Sequence, residues 1–136
     1  MKAQVIDLSH HNVIPHDLND TRAAGIAGLI HKATENTKYV DPKVRSRYAL
    51  AKDAGMLWGI YHFLRPKNIR QQADHFLSSA IWDSASLLVC DFEVDGISLD
   101  EVLGFEFMDG LRQPPFNQCN IRRPCAVGLG FLNRPL

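Results

Sequence analysis

Leu87-Leu-Val-Cys-Asp-Phe-Glu93 is an apolar run of strand length that ends in two acids. In a strand, residues two apart share a face, so Asp91 and Glu93 project together with Cα atoms about 6.6 Å apart. Two carboxylates in a confined site do not both ionise readily, and one pKa rises. A neutral acid beside an ionised partner is what glycoside hydrolysis uses. A bare Asp-x-Glu is more often a pair of solvated acids after a strand. Here the apolar strand and a third acid, Asp95, weigh against that plainer reading.

Working outward, the same strand–loop–helix pattern recurs three more times toward the N-terminus. Gln4-Val-Ile-Asp-Leu8 is a short strand running into Ser9-His-His-Asn12, and Asp17 to Ala24 reads as a helix capped by Asp17 or Asn19 and closed by Gly25. Gly28 to Ala33 is a second strand, with Thr34 to Tyr39 as its loop. Asp41-Pro42 reads as an N-cap with proline at the first helical position, opening a helix that runs to Gly55. Leu57 to Phe63 is the third strand, Arg65 to Asn68 a loop, and Ile69 to Ala80 a helix. After the fourth strand, Ser98 caps a helix to Gly110, with Glu101 completing a capping box. Four such units predict an α/β fold with a parallel, barrel-like β/α sheet. Its strands read as apolar on both faces, as buried parallel strands are.

In such folds the chemistry gathers at the C-terminal ends of the strands. Asp7 stands there in the first unit, costly to bury unless paired or functional, beside Ser9. Lys32 follows the second strand, placed to pair with a rim acid or to snorkel. Tyr61 and Phe63 alternate around His62 at the third, offering aromatic planes for sugar rings, while Trp58 reads as core. His10, His11, His31 and His62 also lie at strand ends, which keeps a metal-dependent β/α hydrolase as an alternative. Against it, there is no His-x-His pair and no His-Glu-x-x-His helix. Cys90 reads as a small buried hydrophobe.

Composition bounds the rest. The 136 residues suit one domain. Fifteen Lys+Arg against fifteen Asp+Glu leave no electrostatic footprint for nucleic acid or an anionic membrane. No apolar run approaches the roughly 20 residues of a membrane span. Cys90, Cys119 and Cys125 suit neither a disulfide framework nor a zinc site. The neutral total hides a break near Gly110. Residues 1–110 carry eleven basic and all fifteen acidic residues, a net −4, whereas residues 111–136 carry four arginines, no acid and four of the seven prolines.

The blocks Val5-Ile-Asp-Leu-Ser-His-His-Asn12, Ile30-His-Lys-Ala-Thr-Glu35 with Tyr39-Val-Asp41, Ala54 to Phe63, Gln72-Ala-Asp-His-Phe76 and Leu88 to Glu93 occur in register. Together they resemble the N-terminal part of family 25 glycoside hydrolases, the Chalaropsis-type lysozymes or muramidases of bacteria, phages and prophages. The resemblance implies cleavage of the β-1,4 bond between N-acetylmuramic acid and N-acetylglucosamine in peptidoglycan, with no metal or other cofactor. It implies Glu93 as the general acid that later activates water. Asp91 stabilises the 2-acetamido group or the anomeric charge, Asp7 tunes the pair, and Tyr61 holds the sugar, with Lys32, Ser9 and Phe63 lining the same rim. A non-catalytic glycan-binding or inactive fragment is the other reading.

The family's barrels have eight strands, and four units leave the fold apparently truncated. The expected division is a partial β/α barrel domain over 1–110 and a tail over 111–136 that is foreign to the fold, as a frameshift with early termination would produce. Half a barrel exposes two sheet edges and invites self-association. The start, Met1 to Asp7, lacks a secretory apolar region. It predicts a chain that is cytoplasmic as made and meets the cell wall on release.

Overall fold

The computed structural model describes residues 4–91 and Gly96. The elements run β1 (Gln4–Leu8), α1 (Asn19–Ala23), β2 (Ile26–Glu35), β3 (Tyr39–Val40), α2 (Val44–Asp53), β4 (Leu57–Phe63), α3 (Ile69–Ser79) and β5 (Leu87–Asp91). Four strands form one parallel sheet in the order β1-β2-β4-β5, and β3 folds back antiparallel on the end of β2. The helix expected over 99–110, Glu93 and the tail over 111–136 lie outside the described residues.

The alternation of exposure along the strands divides the sheet into two faces. Leu29, His31, Trp58, Ile60, His62, Leu88 and Cys90 are buried with Val44, Ala51, Ile69, Ala73 and Phe76 of the helices. On the other face Val5 is 51% exposed and Leu57 68% exposed. The expectation of strands buried on both faces is therefore corrected. Among the described residues, helices cover one side and nothing comparable covers the other.

Local chemistry explains the element ends. At the end of α2 the Gly55 N–H donates to the Lys52 carbonyl and the Met56 N–H to the Ala51 carbonyl. This pairing needs a left-handed residue between helix and strand, and Gly55 supplies it at φ +65°. Two helix starts differ from the sequence reading. Asp17 accepts from the backbone and side-chain nitrogens of Asn19, which makes a local turn, and α1 begins after Leu18. Asp41 accepts from the Lys43 N–H two residues on, so α2 begins at Val44 and Pro42 stays in the turn. The expected Thr34–Tyr39 loop is instead a tight reversal. β2 extends through Glu35, Asn36 takes φ +52°, and Tyr39 returns opposite Glu35.

Candidate active site at the C-terminal rim

Asp7, Lys32, Tyr61, Phe63 and Asp91 share the phase of the open face. The register aligns Asp7 with Ile30, Ile30 with Gly59, and Gly59 with Leu87. One row further along are Lys32, Tyr61 and Val89, and beyond them Phe63 is paired with Asp91. Asp7 is exposed and the other four are half-buried. The two acids share a face without sharing a row. Asp91 lies three strand intervals from Asp7, about 14 Å in a flat sheet, and four residues further along, about 13 Å. That offset is comparable to the roughly three residues that a shear of 8 spreads over three strand intervals of an eight-stranded barrel. Glu93, two residues beyond Asp91, lies outside the described residues.

Lys32 does pair with an acid, but the acid is Glu35. The Lys32 ammonium lies 2.5 Å from Glu35 Oε2, and the Arg65 guanidinium donates to Glu35 Oε1 at 2.6 and 2.8 Å. Burial raises the Glu35 pKa, yet the hydrogen bonds from Lys32 and Arg65 outweigh it and hold the carboxyl below its ordinary value. The Phe63 ring is near both cations, 5.0 Å from Lys32 Nζ and 4.8 Å from Arg65 Cζ, and the Tyr39 ring is 5.2 Å from the Lys32 ammonium. Glu35 to Tyr39 line a shallow open depression of about 360 Å³ beside this group. Glu35, Tyr39 and Arg65 were not among the candidate rim residues. Their signal is chemical: an acid and two cations close in sequence to the aromatic ends of two adjacent strands.

The four histidines do not converge on Asp7. His31 and His62 face the helices. His31 Nδ1 is 2.7 Å from the Lys32 carbonyl, and its Nε2 is 2.9 Å from the Arg47 guanidinium. A carbonyl only accepts and a guanidinium only donates, so His31 is the neutral Nδ1–H tautomer. Burial lowers its pKa, consistent with that form. His62 is bracketed by the Thr34 hydroxyl at 2.7 Å and Gln72 Oε1 at 3.0 Å, and burial lowers its pKa to about 4. His10 bonds to Asp41 at 3.0 Å. Among the described residues no group of three or more His, Cys, Asp or Glu side chains is arranged to hold a metal ion. Cys90 is buried, and desolvation pushes its thiol up to about 12, so it is no nucleophile at neutral pH.

Two rim loops are held from the helix side. Gln72 Oε1 accepts from the Arg65 N–H, while its Nε2 donates to the Arg65 and Lys67 carbonyls. This holds the loop after β4, in which Lys67 and Asn68 both take positive φ. The loop after β1 is held by Asp41 and Arg47. Gln72 and Arg47 carry a signal in sequence, a polar side chain on the inward stripe of a short helix.

The C-terminal rim of the parallel sheet thus carries acids, aromatic rings and cations on adjacent strands. The sequence model of Glycosyl hydrolases family 25 matches residues 6–112, and the chain belongs to that family. It is 32% identical over 91 residues to an autolytic lysozyme of Clostridium acetobutylicum, covering 63% of this chain and 27% of that protein. It is 37% identical over 78 residues to lysozyme M1 of Streptomyces globisporus, covering 56% of this chain and 26% of the relative. A muramidase structure from Trichobolus zukalii superposes with a TM-score of 0.67 at 29% identity, over 78% of this chain and 57% of that one. The fold is thus part of a β/α barrel. The chain spans about a quarter of the length of the two curated relatives.

Proposed function

We propose that the chain is a lysozyme-type glycoside hydrolase acting on the β-1,4 bond between N-acetylmuramic acid and N-acetylglucosamine in peptidoglycan. The observation that carries this reading is the family match over residues 6–112, a stretch that includes Asp7, Asp91 and Glu93. In the proposed route Glu93 protonates the leaving oxygen. The substrate's own 2-acetamido oxygen closes on the anomeric carbon, the substrate-assisted exception to the two-carboxylate scheme. Asp91 stabilises the charge that develops there, and Asp7 adds to the field from the far strand. Water, deprotonated by Glu93, then opens the ring intermediate. Tyr61, Phe63, Lys32 and Ser9 line the sugar subsite.

Purified bacterial walls provide the test. The parent chain is expected to clear them and release N-acetylmuramic acid reducing ends, and Glu93→Gln to slow this by about 100-fold or more. Equal clearance by both removes Glu93 from the role of acid. Binding without release of reducing ends favours a glycan-binding fragment. Self-association through the outer edges of β1 and β5 belongs to the same proposal, and sedimentation as a monomer counts against it.

A further inference from the structure

Asp41 and Arg47 are buried to 1% and 4% exposure, and no ion pair joins them among the described residues. Each bonds to the four residues that follow β1. Asp41 Oδ2 accepts from the His10 N–H at 2.9 Å and from the His10 ring at 3.0 Å, while Oδ1 accepts from the Lys43 N–H. The guanidinium of Arg47 donates to the Ser9 carbonyl at 2.5 Å and to the Asn12 carbonyl, and to His31 behind them. Asn12 closes the loop on itself, with its Oδ1 accepting from the Ser9 N–H and its own N–H donating to the Ser9 carbonyl. Two buried charges are an expensive way to pack a short loop, since apolar side chains fill such space at lower desolvation cost. Charges that each grip main-chain atoms instead fix one path.

We propose that Asp41 and Arg47 are positioning residues that hold the Ser9–Asn12 rim loop in its glycan-accepting geometry. This rests on the glycosidase reading above. The loop begins two residues after Asp7, and it carries Ser9 and the His10–His11 ring pair, whose centroids are 3.8 Å apart. A loop ordered before the sugar arrives spares that ordering cost on binding, so the clamp acts on affinity more than on the chemical step.

The test uses the full chain and the variants Asp41→Asn, Arg47→Met and Arg47→Lys, with amide hydrogen exchange and glycan kinetics. Asparagine keeps the shape of Asp41 but turns an N–H toward a donor. Exchange at the His10 amide is expected to quicken about tenfold in Asp41→Asn, as loss of one charge-assisted bond implies. KM should rise by a similar factor with kcat within about twofold. Lysine at 47 should restore part of what methionine loses. Unchanged exchange in both Asp41→Asn and Arg47→Met overturns the clamp. Faster exchange with KM unmoved, or with kcat falling alone, reduces it to a structural brace and overturns the positioning role. Dissociation constants for the N-acetylglucosamine tetramer, followed by NMR titration, replace KM if the parent chain does not cleave. Tenfold weaker binding in the variants then supports the clamp while catalysis alone fails. A parent chain that neither cleaves nor binds overturns both readings.

Discussion

The two faces of the sheet are built from alternate residues of the same strands, yet they obey different rules. Toward the helices Leu29, Ile60 and Phe76 are at most 1% exposed, and both ring nitrogens of His31 and of His62 have partners. Toward the open side the same strands present Asp7, Lys32, Tyr61, Phe63 and Asp91, with Leu57 and Val5 more than half exposed. One phase of the alternation holds the fold together, and the other carries the candidate chemistry.

The contrast is broken most sharply by truncation on the covered side. Phe76→Ala is expected to cost about 3–5 kcal/mol, measured by urea unfolding, because the site has no solvent to refill it. If the loss is no larger than for an exposed residue, the helix side is not the core. A pH series is next in size. His62 titrates at about 4 in the folded chain, against 6.5 ordinarily. The unfolded state therefore binds more protons between those values, and stability falls as pH drops from 6.5 toward 4, by on the order of 3 kcal/mol. His31 shifts in the same direction. His62→Gln should flatten this slope relative to the parent, and an unchanged slope would assign it to other groups. The smallest effect is Leu57→Ser on the open side, within about 0.5 kcal/mol. A loss of several kcal/mol there would mean that this face is covered in solution.

Most of the architecture was legible in sequence because apolar periodicity reports strands directly. Leu57–Phe63 is a strand from end to end as read, and α3 differs by one residue. What was missed came from side chains that compete with helix hydrogen bonds. Asp17 and Asp41 both make two-residue turns, so α2 starts later than an Asp41 cap suggests, and α1 starts one residue after an Asp17 cap would place it and one before an Asn19 cap would. The antiparallel return at Tyr39 was hidden because two residues of strand carry no period. At the rim, Asp7, Lys32, Tyr61 and Phe63 could be placed by counting along strands. The linkage of Lys32 and Arg65 through Glu35 could not, because it depends on which of several nearby acids the folded backbone brings within reach.

The grip of Arg47 and Asp41 on the first rim loop falls largely on carbonyls and amide nitrogens. Every residue type but proline supplies both of those atoms. The side chain at position 11 is therefore open to exchange while the chain path stays put, whereas Asn12, whose Oδ1 closes the loop, and positions 41 and 47 are not. Divergent descendants of this scaffold would vary what the loop displays before they varied the bracket beneath it.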